Sequence, residues 1–378
     1  MNRKTFLILI GLLVVLGGAG AALFWQDLGT WRSSNTRIGF KPFEKLPVNE
    51  VAQIRLYDGK GEATLALKDG RWTVKELGDY SASVQEIGNL LVKLPDLKVV
   101  QTENVGATLL PRLSLVAPAA NAKADAKAEG AGTQLELSDK SGNLLGSLLL
   151  GKIVVKIEPS PLPIKQETPV GRYVLNPGNP TVLVMSDALK NADAKPDLWL
   201  AKEFFKVDRI RSLAASGDGA SWKIARKEEY GQWKFADGGG ELDPSKAVAA
   251  VNGLAGLAFS DVALDVKAEK FDKPRTLVAE TYDNLVYTIR IARKPGSDDY
   301  YLAVALSGEP ARTRVPEKGE KPADKERLDK QFDDTLKKLD ERVKFEKTLS
   351  AWTYVVPAKA LEPLIRARGD LVAVARKK

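Results

Sequence analysis

Thr64-Leu65-Ala66-Leu67-Lys68-Asp69-Gly70-Arg71-Trp72-Thr73-Val74 decides the fold class of this chain. Residues alternate in polarity on both sides of Asp69-Gly70, a dipeptide suited to a tight hairpin turn, so the segment reads as two antiparallel strands with one face inward. Val51-Ala52-Gln53-Ile54-Arg55 opens this unit. Further along, Val207-Asp208-Arg209-Ile210-Arg211 opens the same pattern, Trp222-Lys223-Ile224-Ala225 continues it, and Gln232-Trp233-Lys234-Phe235 returns after a longer turn at Glu229-Tyr230-Gly231. Val-x-x-Ile-Arg and the returning Trp occur in both, so the chain reads as a duplication.

Each hairpin leads into a helix with its own start signal. Ser83 and Glu86 form a capping-box pattern, and Val84, Ile87, Leu90, Leu91 and Leu94 fall on one face before Pro95. In the second copy Asp243 caps, Pro244 takes the first helical position, and Val248, Val251 and Leu254 are expected to face inward. Further strands are expected at Leu113 to Val116, Gln134 to Leu137, Leu144 to Leu149, Arg172 to Leu175 and Thr181 to Met185. The second copy offers Thr276 to Thr281, Leu285 to Ile291, Tyr300 to Leu306 and Trp352 to Val356. Period-two patterns beside single helices predict an α+β fold of two related domains, each an antiparallel sheet with a packed helix. The expected domains are 48–198 and 199–378, with the boundary between Asp193 and Phe205.

Ahead of them, Phe6 to Trp25 carries no charge and follows Arg3-Lys4. At ~1.5 Å per residue a helix there covers roughly the 30 Å of a bilayer core, and the positive flank belongs on the cytoplasmic side. A signal anchor, or transmembrane helix, is therefore expected over 1–26 and a linker over 27–47. The bulk of the chain would then lie periplasmic or extracytoplasmic at a cell inner membrane. A cleaved signal peptide is the alternative, because Ala19-Gly20-Ala21 has a small-x-small pattern.

The 378 residues include no cysteine and no histidine. Thiol chemistry and disulfides are excluded, and the usual general base, the commonest zinc ligand and the partner of a nucleophilic serine are missing. The net charge of +8 arises from basic residues interleaved with acidic ones, which describes a solvated surface and does not predict a nucleic-acid partner. Anionic headgroups are a weaker candidate partner for Lys4 or Arg376-Lys377-Lys378.

Three segments interrupt the pattern. Ala117 to Gly132, rich in Ala, Lys and Gly, reads as a mobile loop, and Glu158 to Pro169 as an extended one. Pro322 to Lys347 reads as a charged amphipathic helix inserted before the last strand, with Leu328, Phe332, Leu336, Leu339 and Val343 along one stripe. That stripe either packs on its own domain or forms the contact with a partner.

Other candidates are weighed against structural roles. Trp72 and Trp233 could stack on a sugar ring, but an inward hairpin position favours the core. Arg55 and Arg211 could grip an anion, but pairing with a neighbouring acid is commoner. Asp298-Asp299, Asp333-Asp334 and Glu228-Glu229 keep a carboxylate-only glycoside hydrolase open, although adjacent acids usually face solvent. Gly238-Gly239-Gly240 lacks the Gly-Lys-Ser/Thr that completes a phosphate cradle. No cofactor is expected.

The repeated Val-x-x-Ile-Arg and Trp hairpins, the Leu150-Gly151-Lys152 turn, and Gly171-Arg172-Tyr173-Val174-Leu175 leading to Thr181-Val182-Leu183-Val184-Met185 resemble the domain of unknown function 4340 (DUF4340) family. The resemblance runs from Val51 to Ile365, except that the 322–347 insertion departs from it. It implies a single-span, membrane-anchored envelope protein linked to ABC transporter permeases of the gliding-motility type, with no catalytic residues to carry across. The expected function is a non-enzymatic accessory or scaffold protein whose partner is an integral-membrane protein such as an ABC permease. A carboxylate-based envelope glycan hydrolase and a glycan- or lipid-binding module are the alternatives.

Overall fold

The computed structural model describes residues 38–119, 129–158, 166–176, 181–316 and 320–373, and these divide at Trp199 and Leu200 into two compact units. The span expected at Phe6 to Trp25 lies outside the described residues. Among the described residues no helix is long and apolar enough to cross a membrane.

The first unit contains β1 (Gln53–Tyr57), β2 (Glu62–Lys68), β3 (Arg71–Val74), β4 (Tyr80–Ser81), α1 (Val84–Lys93), β5 (Val99–Glu103), β6 (Thr133–Ser138), β7 (Leu144–Glu158), β8 (Gln166–Leu175) and β9 (Val182–Met185). Its strands form one antiparallel sheet in the order β4-β3-β2-β1-β6-β7-β8-β9-β5. The second unit contains β10 (Ile210–Gly217), β11 (Ala220–Ala225), β12 (Lys234–Phe235), α2 (Pro244–Ala255), β13 (Asp261–Ala263), β14 (Arg275–Thr281), β15 (Leu285–Arg293), β16 (Tyr300–Gly308), α3 (Pro322–Leu349) and β17 (Thr353–Val356). Its order is β12-β11-β10-β14-β15-β16-β17-β13. Leaving β4 aside, the two orders correspond strand for strand, and the helices α1 and α2 stand at the same point in each. The units therefore share one topology. They differ between the sixth and seventh of these strands in space: residues 176–181 join β8 to β9, whereas the matching link from β16 to β17 contains α3.

Side-chain alternation explains the sheets. In β14, and in β15 as far as Ile291, every second residue is buried and the intervening side chains are half-buried on the other face. The centre of the first sheet is covered on both faces. Leu148, Leu150 and Val174 are buried on one side, while Leu149 and Val182 join Leu115 on the other, under the turn at Ala107–Leu113. The strand expected at Leu113 to Val116 does not form: Leu113 ends that turn, Ser114 is left-handed, and Val116 makes only an isolated bridge to Ala131. Gly151 also lies inside β7 and not in a turn. A Cβ there would meet the Leu113 carbonyl oxygen at 2.5 Å, so glycine is required for the segment to lie this close. Gly151→Ala is expected to destabilise the first unit by about 1–3 kcal/mol, measured by denaturant unfolding.

Both helix starts follow the sequence: the Ser83 hydroxyl accepts from the Glu86 amide, and the Asp243 carboxylate accepts from those of Ser245 and Lys246. Their inward faces are narrower than expected. Ile87, Leu90, Leu91 and Leu94 are buried while Val84 is exposed, and α2 buries Ala247, Ala250 and Leu254 while exposing Val248. The small alanines form the buried stripe, and the larger valine lies off it.

Candidate functional site

The Leu328, Phe332, Leu336, Leu339 and Val343 stripe lies on α3, whose C-terminal part is seated on its own unit. Val343 is buried together with Glu346 and Leu349, and the other four stripe residues are half-buried. Val343 is thus committed to the unit's interior and unavailable as an outer contact. The outward side of α3 carries charges and the exposed Phe345.

The chemistry that sequence reasoning missed is a network of ionisable groups binding α3 to the sheet. Glu346 is 1% exposed on its side chain. One carboxylate oxygen accepts the Tyr287 hydroxyl of β15 at 2.7 Å, and the other accepts the Lys206 backbone amide at 2.9 Å. One turn earlier, Arg342 donates through Nη1 to Asp208 at 3.0 Å and lies 3.8 Å from Glu346 through Nε. Arg342 Nε and Nη2 are buried without a hydrogen-bond partner among the described residues. Arg209, beside Asp208, grips Glu229 with two bonds of 2.8 and 2.9 Å and also contacts Asp283 in the turn between β14 and β15. Arg209 holds a left-handed backbone with φ of 49°, and the register slips between Ile210 and Ser212. Such backbone is costly outside glycine, and the paired carboxylates hold it in place.

Burial pushes the pKa of Glu346 above the ordinary carboxylate range, against the lowering effect of its donors and of Arg342. Asp283 moves the same way for the same reason, and the Tyr287 hydroxyl is raised by burial and by Glu346. A native carboxyl that holds its proton more tightly than the unfolded one makes stability fall as pH rises through its native pKa. Wild type is therefore expected to lose stability relative to Glu346→Gln from the ordinary glutamate range upward, until Glu346 is ionised. Unfolding curves of both proteins across pH check this.

The remaining candidates are occupied by local partners. Arg55 makes a bidentate pair with Glu62 at 2.7 and 3.0 Å and lies 4.3 Å over the Tyr57 ring, while Arg211 meets Glu280 at 3.2 Å. The Tyr57 hydroxyl, bonded to Glu136, is pushed up to about 12, chiefly by burial. Asp298 and Asp299 lie in the link from β15 to β16, Asp333 and Asp334 are exposed on α3, and Glu229 is held by Arg209. Gly238 and Gly239 offer carbonyl oxygens to Arg368, the opposite polarity from a phosphate cradle.

Trp72 and Trp233 are only half-buried, which corrects the expectation of core packing. Trp72 pairs with Leu67 at the hairpin end, one step beyond the buried Leu65 and Val74 pair. Trp233 precedes the short β12 and lines an open groove of about 570 Å³, its ring 4.8 Å from the Arg226 guanidinium. Among the described residues the deeply buried tryptophans are Trp199 and Trp222, whose indole N–H groups donate to the carbonyl oxygens of Asp193 and Arg366.

The sequence model described as Domain of unknown function (DUF4340) matches residues 72–277. The chain belongs to the DUF4340 family. No curated protein and no solved structure matches it. The DUF4340 match begins in β3 and ends in β14, so it takes in parts of both units, including Gly151, Gly171 and Arg172. Arg342 and Glu346 lie beyond it, on the inserted helix.

Proposed function

We propose that this DUF4340 protein is a non-enzymatic accessory or scaffold protein of the cell envelope. An N-terminal span tethers it, and its two sheet units face an integral-membrane partner on the extracytoplasmic side. The observation that carries this reading is the use made of the ionisable groups around α3, of which Glu346 is buried. Asp208, through Arg342, and Glu346, through Tyr287 and the Lys206 amide, fix α3 to its unit, while Glu229 and Asp283 are held by Arg209 beside Asp208. The gathered charge builds a rigid body.

A tether raises the local concentration of the units near membrane proteins, so a modest interface suffices for association. The family resemblance makes an ABC transporter permease the first partner to test, and the accessible parts of Leu328, Phe332, Leu336 and Leu339 one candidate contact. One observation favours the hydrolase alternative: burial raises Glu346 and Asp283, as it raises a general acid. Gentle solubilisation from native membranes is expected to bring an integral-membrane protein along reproducibly. Purification alone, together with hydrolysis of an envelope glycan that Glu346→Gln or Asp283→Asn abolishes, would overturn the scaffold reading.

A further inference from the structure

The longest strands of the first unit run past their sheet. The pairing of β7 with β6 ends at Leu150, and that of β8 with β9 covers only Arg172 to Leu175. Beyond those points, residues 151–158 pair only with β8 among the described residues, from Ile153 with Arg172 to Glu158 with Gln166, with a slip of one residue on β8 between Val154–Gly171 and Val155–Pro169. Of the extended loop expected at Glu158 to Pro169, Glu158 and Gln166 to Pro169 belong to this ribbon, and residues 159–165 lie outside the described residues. At ~3.3 Å per residue the ribbon's β7 strand extends roughly 25 Å.

The ribbon is held firmly at its base. Arg172, 9% exposed, donates through Nε to the Gly151 carbonyl at 2.8 Å and through Nη1 to that of Leu189 at 3.0 Å. Farther out, Ile153, Val155 and Ile157 alternate along β7 and so share one face. They are 37%, 41% and 56% exposed, rising with distance from the sheet. Two-stranded ribbons are marginally stable alone, and a row of β-branched apolar side chains in water calls for a cover.

The place where the N-terminal segment joins the unit indicates what that cover is. Arg172 pairs with Met185 of β9, Met185 pairs with Val99 of β5, and Val99 exchanges hydrogen bonds with Gly39 and Phe40. Strands β8 and β5 both run antiparallel to β9. The ribbon therefore projects from the sheet end where β5 begins and where the chain arrives from residues 1–37. Three strand spacings separate the two, roughly 14 Å. Residues 26–37 between that point and the uncharged Phe6 to Trp25 run can extend at most roughly 40 Å.

We propose that this ribbon is a bilayer-contact arm, its Ile153, Val155 and Ile157 face seated at the headgroup and acyl boundary of the membrane that holds the N-terminal segment. The proposal rests on the tethered reading above. The arm lies along the surface and does not cross it, because both its edges present backbone N–H and C=O groups that need water. Lys152 and Lys156 occupy the intervening positions, suited to the headgroup layer.

Since the chain has no cysteine, a single introduced one reports a single position. Full-length Val155→Cys, labelled with an environment-sensitive fluorophore, is reconstituted in phosphatidylethanolamine and phosphatidylglycerol vesicles containing nitroxide lipid. Full-length Tyr230→Cys, at a site 95% exposed on the second unit, serves as the reference. Both proteins are floated with the vesicles first. The expected result is flotation of both, with the label at 155 blue-shifted and losing several-fold more emission to the nitroxide than the label at 230. Flotation with a label at 155 that is open to aqueous iodide and untouched by nitroxide lipid overturns the arm while leaving the tether standing. A label protected from both quenchers means that protein covers the face, which also overturns it. Failure to float overturns the tether and the arm together.

Discussion

Glu346→Ala is expected to lower the stability of the second unit by about 3–5 kcal/mol, the cost of removing one member of a buried ionic network. The alanine leaves the Tyr287 hydroxyl and the Lys206 amide without their acceptors, and Arg342 keeps only Asp208. Glu346→Gln retains the shape and one acceptor oxygen and is expected to cost about 1 kcal/mol at neutral pH. Hydrogen exchange resolves the two variants by segment. Peptides from β15 and from the last turns of α3 are expected to lose protection together in the alanine variant, while β1 and β6 in the first unit keep theirs. Equal losses in the two variants would contradict this, because the shape and the acceptor oxygen that glutamine keeps would then contribute nothing.

Trp222→Ala is expected to cost about 3–5 kcal/mol and Trp233→Ala about 1 kcal/mol, although the sequence pattern points to Trp233 as the structural ring. Trp222 is 3% exposed, stands one alternation from the buried Ile224 on β11, and donates to the Arg366 carbonyl. Trp233 is half-buried and makes its principal contact with Arg226. Urea unfolding followed at several wavelengths measures both, and a larger loss for Trp233 would contradict the placement.

These residues show where sequence reasoning works. Alternation and the Asp69-Gly70 turn are local, and so are the Ser83 and Asp243 caps, so the strands and helix starts are legible. The repeated order of hairpin and helix is legible for the same reason, and both sheets follow it. Which tryptophan is buried depends on where a hairpin ends relative to the core, and sequence spacing does not contain that distance. The bond from Arg342 to Asp208 crosses well over a hundred positions of chain, and Glu346 is one acid among many on a charged helix. A clue to Glu346 was available: it continues the period through Leu339 and Val343 at a spacing that places it on the buried side. The extension of β7 past Gly151 was hidden because a proline-rich segment follows it and reads as loop.

Crosslinking mass spectrometry on the full-length protein at native abundance in intact membranes tests whether the two units serve a membrane partner. Reproducible crosslinks from lysines of both units to one integral-membrane complex are expected. Crosslinks confined to the chain itself, in a protein recovered from the soluble envelope fraction, would contradict the scaffold reading.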